Sequence, residues 1–470
     1  MPDLETPSVE EGSYGTALAL ATVVRDAGGR ALIVGGWVRD RWRGHPSKDL
    51  DVEVFGVPAD RLAALLSRFG PVNAVGESFA VFKVAGLDVA LPRRESKSGR
   101  GHRGFHVEGD PSMAPQDAAR RRDFTVNAIA FDPITGEYLD PFDGRGDLAR
   151  GVLRAVDPAT FADDSLRVLR GVQFAARFAL EMDPATRALC RSIPLDDLAP
   201  ERVWGEVEKL LLLADRPSVG LSLALDLGVL ARWLPECVAL VGCPQEPEWH
   251  PEGDVWVHTL QVVDEARRRI DDLPRPKQVA VMLGALAHDF GKPSTTAFAD
   301  GRIRSIGHEE AGVPPTLGML DRLQVFTLDG YDVRAQVTGL VAHHLKPGGW
   351  HKSPSPVGDG AFRRLAQKVD LELLARVAEA DCMGRRPGAF DCSAMSWFLG
   401  RARALGVEHA APKPLLLGRH LLALGVAPGR GMGALLRTIY ERQLDGEVTT
   451  IEQAIAAAKA TLDSPSTDGC

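Results

Sequence analysis

The run Asp49-Leu50-Asp51-Val52-Glu53-Val54 alternates acid and aliphatic residues without a break. Strand side chains alternate between faces, so the pattern predicts a strand with Asp49, Asp51 and Glu53 on one side and Leu50, Val52 and Val54 on the other. Just upstream, Ala31–Val34 is a short apolar run ending in Gly35-Gly36, which predicts a strand entering a tight turn. Trp37–Arg43 then suits one or two helical turns, and the runs FKV and LDVAL between Val81 and Leu91 suit further strands. Up to about residue 153 the chain reads as mixed α/β.

From Ala162 onward the period changes. DDSLRVLRGVQFAARF, ERVWGEVEKLLLLA and VGLSLALDLGVLARWL carry apolar residues at three- and four-residue spacings, the mark of amphipathic helices. CPQEPEWHPEGD, rich in Pro and Glu, reads as a boundary. A long helical region follows from about Trp256 to Ala380, and another from about Pro412 ends in AIAAAKATLDSPSTDGC, whose last residues are expected to be disordered. There is no internal repeat and no low-complexity tract. The expected division is residues 28–153, 154–245, 250–390 and 391–470, in an α+β chain with a mixed sheet first and an all-helical body after it.

Composition narrows the class. The chain has 470 residues, 45% hydrophobic and 25% charged, as in a soluble globular protein with room for several domains. The net charge of −8 does not point to nucleic acid, so any RNA contact requires a local basic patch. Six cysteines (190, 237, 243, 382, 392 and 470) form no C-x-x-C pair, which fits a reducing compartment and argues against a disulfide framework or zinc ribbon. The acidic start MPDLETPSVEEG has no basic n-region and ALALATVV is too brief to span a bilayer, so a cytosolic protein with no membrane partner is expected.

Four pieces then accumulate. Glycines at 35 and 36 let a phosphate approach the backbone where a helix begins, and Arg39 adds a charged donor. Asp49 and Asp51 on one strand face can bridge a pair of magnesium ions, which activates an attacking hydroxyl and stabilises a leaving pyrophosphate. Asp88, in LDVAL, offers a third carboxylate or a plain surface aspartate. Arg120-Arg121-Arg122 runs into the apolar DFTVNA, and Asp164, Arg167 and Arg170 are spaced by three on one helix side. Each piece alone has a plainer reading as a turn, a solvated face or an intrahelical ion pair.

In order, GGWVRD, the DLD of KDLDVEVFG, RRDFTVNA, DPFDGRGDL and DDSLRVLRGVQFAARF resemble the class II tRNA nucleotidyltransferase and bacterial poly(A) polymerase family, within the polymerase-β-like superfamily, over roughly residues 30–240. The resemblance implies that Asp49 and Asp51 are catalytic ligands of Mg2+. It implies that Gly36 and Arg39 contact the triphosphate, and that Arg122, Arg167 and Arg170 contact the nucleotide. Asp164 and Arg167 would face the Watson–Crick edge of the incoming base. Cytosine and adenine both set an amino donor beside a ring-nitrogen acceptor, so one aspartate and one arginine fit both and mispair with guanine and uracil. Two departures stand out: Asp163 replaces the family's usual glutamate, and Gln173 stands where many members carry another arginine. The stretch LPRRESKSGRGHR reads as a mobile basic loop, with Arg93, Arg94, Lys97, Arg100 and Arg103 as candidate RNA contacts.

A second set lies downstream: His258, His288-Asp289, His308, His343-His344 and Asp381 punctuate consecutive apolar helices, with Gly291 placed to cap one of them. Imidazole and carboxylate suit transition metals or magnesium. The order resembles the HD phosphohydrolase superfamily over roughly residues 250–385. That implies His258, His288, Asp289 and Asp381 as primary ligands of a divalent metal such as Mg, Mn or Ni, with His308 and one of His343 or His344 completing a second position. Further on, PGRGMG offers either a phosphate cradle or an interhelical turn.

The leading expectation is a nucleotidyltransferase that adds C and A to tRNA 3′ ends from CTP and ATP, with a phosphohydrolase activity from the second set. A-only addition, CC-only addition, poly(A) synthesis, a chain that is chiefly a phosphohydrolase and a non-catalytic tRNA binder are the alternatives. Oligomeric state is not legible.

Overall fold

A computed structural model describes residues 11–45, 50–75, 81–97, 105–385, 387 and 390–463. The chain divides into two compact units, residues 1–210 with 219–232 and residues 211–218 with 233–470.

The first unit is built on a mixed sheet. Helix α1 (Glu11–Asp26) leads into β1 (Arg30–Val34), α2 (Gly36–Trp42), β2 (Asp51–Phe55) and α3 (Ala59–Leu66). Strands β3 (Asn73–Val75), β4 (Val81–Val84) and β5 (Leu87–Ala90) follow. The pair β6 (Arg93–Lys97) and β7 (Phe105–Gly109) comes next, then the short β8 (Ala130–Phe131) and β9 (Tyr138–Leu139). Among the described residues the sheet order is β3-β4-β5-β2-β1-β8-β9. The β1–β2 pair is antiparallel with Val34 opposite Asp51, and β2–β5 is parallel with Asp51 opposite Asp88.

The period-two reading of β2 holds where it is described. Val52 and Val54 are buried with Ile33, Val89 and the α1 residues Leu20 and Val24, while Asp51 and Glu53 face the other way. One sheet face is thus sealed by α1 and α3, and the opposite face is left for chemistry. Asp49 lies outside the described residues, as do Arg100, Arg103 and the chain's last seven positions.

Within the basic stretch read as a loop, Arg93 to Lys97 form a strand instead, paired antiparallel with Phe105 to Gly109, and residues 98–103 lie outside the described residues. Alternating residues such as Arg94-Glu95-Ser96 satisfy their backbone groups with a neighbouring strand, a pairing that local composition does not reveal.

The second unit is helical, with a few short hairpins. Helix Arg275–Ala287 is apolar on every side from Val279 onward and fully buried, so it is the central element. Helices Val255–Arg267, Val333–His343 and Leu371–Met383 pack around it. The last three helices, Gly418–Ala423, Arg430–Asp445 and Ile451–Asp463, bury a small core of their own around Leu421, Ile439 and Ala454. PGRGMG forms the turn into the second of these and its first residues. A disulfide joins Cys382 to Cys392, which the scattered spacing and the expected reducing compartment did not suggest; the fold brings together cysteines ten positions apart.

Candidate functional sites

In the first unit a cleft of about 890 Å³ opens on the free face of the sheet. Gly35, Gly36, Arg39, Asp51, Asp88, Arg93, Arg122, Asp164, Arg167 and Arg170 all line it. The turn after β1 works because Gly35 sits at φ 77°, a left-handed conformation that favours glycine. A Cβ there would stand 3.3 Å from an Asp51 carboxylate oxygen and 3.5 Å from an Arg122 nitrogen. The turn therefore keeps a narrow space between an acid and an arginine.

The arginines are already engaged. Arg39 is buried, donates to Asn127 at 2.7 Å and to Asp40 at 2.8 Å, and lies over the Phe178 ring. Asn127 in turn donates to Asp123 at 3.0 Å, and Asp123 accepts from Arg170 at 2.7 Å. Burial alone would raise the Asp123 pKa; Arg170 and the bonds from Asn127 and the Phe124 amide outweigh it and hold the carboxyl below its ordinary range. This ladder ties the RRDFTVNA motif to both the glycine turn and the helix Leu166–Phe178.

Asp164 stands just before that helix rather than in it, and its carboxylate pairs with Arg202 at 3.0 Å. Arg167 donates to the carbonyls of Thr160 and Arg121 at 2.9 and 2.7 Å. Glu53, given no role by the motif, lies 3.5 Å from Arg122. Asp88 is held by Lys83 at 2.8 Å. Gln173 is buried and accepts from Arg177, so the departure from arginine is absorbed inside the helix. Arg93 reaches the cleft, while Arg94 and Lys97 fall on β6.

In the second unit, His258, His288, Asp289, His308, His344 and Asp381 converge in the buried interior. His258 Nε2 is 3.0 Å from Asp381 and 3.9 Å from Asp289. His288 Nε2 is 3.2 Å from Asp289, and His308 Nε2 is 3.4 Å from the other Asp289 oxygen and 3.2 Å from His344 Nε2. Two groups of ligand atoms lie close enough to share an ion: His258, His288 and Asp289, and Asp289, His308 and His344. His288 Nε2 is buried with no hydrogen-bond partner, as expected of a donor set that fits a divalent cation.

Burial would raise the pKa of both carboxylates, but neighbouring side chains outweigh it and hold both well below their ordinary range. His288 and Lys292, whose Nζ is 2.7 Å away, act on Asp289; Arg385, at 3.2 Å, acts on Asp381. Burial pushes His344 down to about 3, which keeps its imidazole neutral and able to donate a lone pair.

Two expectations are corrected. His344, not His343, enters the site: adjacent helical residues point about 100° apart, and His343 sits instead near Lys346 and Lys368. Gly291 is not a left-handed helix cap, its φ being −82°. It is glycine because a Cβ would meet the His308 carbonyl oxygen at 2.0 Å. The sequence reading also missed Arg202, Asn127, Lys292, Arg385 and Glu252. Of these, Lys292, three residues after Asp289, and Arg385, four after Asp381, carried a local signal, and Asn127 lies within the RRDFTVNA motif without a role of its own there.

The fold and the cleft define a polymerase-type nucleotidyltransferase head joined to a helical body. A family model described as the poly A polymerase head domain matches residues 31–154, and one described as a probable RNA- and SrmB-binding site of polymerase A matches residues 179–240. The chain is 39% identical over 372 residues to the Multifunctional CCA protein of Xanthomonas campestris pv. campestris, covering 76% of this chain and 85% of the relative. It is 42% identical over 307 residues to that of Stenotrophomonas maltophilia, covering 63% and 72%. The solved CCA-adding enzyme of Bacillus stearothermophilus in complex with CTP shares the fold at a TM-score of 0.65 and 20% identity, over 97% of this chain and 98% of that one. The Thermotoga maritima CCA-adding enzyme complexed with tRNA does so at 0.56 and 19%, over 96% and 95%. The chain belongs to the class II CCA-adding enzyme family, tRNA nucleotidyltransferases that add C and A without a nucleic-acid template. No helix among the described residues is long and apolar enough to cross a membrane.

Proposed function

We propose that this chain builds the CCA end of tRNA from CTP and ATP, in the cytosol, with Mg2+ held by Asp49 and Asp51. The observation that carries the reading is the shared cleft: Asp51, the glycine turn and the Asp164–Arg167 pair all open onto one space. Mg2+, when bound, supplies Lewis acidity to the attacking 3′-hydroxyl and the leaving pyrophosphate. The protein's part is positional. Gly35 and Gly36 let the triphosphate approach, and Arg122 and Arg170 offer charged donors to it. Asp164 accepts from the amino group of cytosine or adenine and Arg167 donates to the adjacent ring nitrogen, which requires Asp164 to exchange Arg202 for the base. The strand Arg93–Lys97 with Arg100 and Arg103 meets the RNA backbone. A purified Asp51→Ala variant should fail to extend tRNA from either nucleotide; extension at the normal rate would sink the reading.

The buried histidine–aspartate centre supports a second activity, metal-dependent hydrolysis of a phosphoester. Its ligands would be His258, His288, Asp289 and Asp381, with His308 and His344 at a second position. A divalent cation there supplies Lewis acidity, and Lys292 and Arg385 balance the carboxylates. Hydrolysis of a model phosphodiester that survives a His288/Asp289 double substitution would place that activity elsewhere.

A further inference from the structure

Three of the four imidazoles in the second unit's centre are held in the same way. His288, His308 and His344 each turn Nδ1 to the backbone carbonyl three residues earlier, Ala285, Ser305 and Val341, at 2.8, 2.7 and 2.8 Å. Donating Nδ1–H there fixes the tautomer and leaves Nε2 as a lone pair turned inward.

His258 cannot copy them. It lies within the helix Val255–Arg267, where the carbonyls behind it are taken. Asp254 O accepts from the amide of His258 itself at 3.1 Å, and Val255 O accepts from the Thr259 hydroxyl at 2.8 Å. In their place stands Glu252. Its Oε1 is 2.7 Å from His258 Nδ1 and 2.9 Å from His250 Nδ1, and neither the Glu252 nor the His258 side chain is exposed. His258 Nδ1 is buried and meets no well-aligned hydrogen-bond partner among the described residues; the Glu252 carboxylate, at 2.7 Å, is the acceptor within its reach. Glu252 comes from the Pro- and Glu-rich segment that reads as a boundary.

We propose that Glu252 is a positioning residue of the metal centre: its carboxylate accepts a hydrogen bond from Nδ1–H of His258 and so presents Nε2 as a ligand, while His250 steers the carboxylate. This rests on the reading of His258, His288, Asp289 and Asp381 as a divalent-cation site. A carboxylate acceptor makes the ligating imidazole more basic than a carbonyl does, so His258 is the strongest of the four donors. The same three residues, His250, Glu252 and His258, are also close enough to surround an ion themselves. The proposal excludes that arrangement, because His258 Nδ1 is committed to the carboxylate.

The test is a Co2+ titration of the full-length, chelator-stripped protein in an Asp51→Ala background, read by visible absorption and calorimetry. Glu252→Ala should bind about 10–100-fold more weakly, with a changed absorption band, as loss of an outer-shell partner does. Glu252→Gln, whose amide oxygen still accepts, should fall between. His250→Ala should stay within about threefold of the parent. An unchanged affinity and band for Glu252→Ala would overturn the proposal. So would a loss in His250→Ala as large as in His258→Ala, which would put the ion on the other face of the ring. If the parent binds no Co2+, or Asp289→Ala does not weaken it, the site reading itself fails and the proposal falls with it. Thermal unfolding serves as the folding control; should Glu252→Ala not fold, Glu252→Gln and Glu252→Asp carry the same comparison.

Discussion

The two units solve the problem of holding charge in opposite ways. The cleft is open, and its groups are paired with partners that can be exchanged: Asp164 with Arg202, Arg122 with Glu53, Asp88 with Lys83. The histidine–aspartate centre is sealed, its four rings and two acids almost without exposed surface. A site that must take up a nucleotide three times to build one CCA end benefits from weak, solvated pairs, each worth about 1 kcal/mol or less. A site that keeps one cation benefits from burial, where donors are dear to leave unpaired and their orientation is fixed by surrounding carbonyls. The contrast teaches that the same residue types, aspartate and a cation, do different work according to water access.

Substitutions can break or sharpen the contrast. Asp51→Ala should lower nucleotide addition at least ~1000-fold, about 4 kcal/mol of barrier, with phosphodiester hydrolysis retained; parallel loss of both activities would mean the units are not independent. Lys292→Ala leaves Asp289 without its closest cation, so the metal-free protein should lose about 3 kcal/mol of stability in denaturant unfolding, with much of it restored by added divalent metal. Asp164→Ala should cost about 1–3 kcal/mol of discrimination between the accepted and rejected bases, read as relative incorporation of CTP against UTP. Arg202→Ala, removing an exchangeable pair, should cost less than about 1 kcal/mol of stability. Smallest of all, His343→Ala should leave metal content unchanged while His344→Ala lowers it; equal losses would return the second position to an open question.

How far the sequence reached depended on how local each cause is. The alternation at 51–54, the glycine turn and the helices after 162 are written in periodicity and were legible. The ordered motifs were enough to gather the cleft, because each occupies a run of neighbours. Adjacent histidines at 343 and 344 could not be told apart, since only the phase of the helix against its neighbours chooses between them. The roles of Asn127, Arg202 and Glu252 were hidden for a related reason, even with Asn127 inside a quoted motif: each acts across a tertiary contact, on Arg39, Asp164 and His258. Glu252 was further masked because a Pro-rich surrounding reads as a linker. The disulfide between Cys382 and Cys392 likewise depends on a fold-dependent approach.

The most direct measurement offers the protein tRNAs lacking their last one, two or three nucleotides, with CTP and ATP singly and together, and reads product length. The account predicts that each substrate is extended to the same CCA end and no further, that CTP alone stops after the cytidines, and that ATP alone extends only the tRNA ending in CC. Unlimited adenylation, or no extension with Mg2+ present, would contradict it.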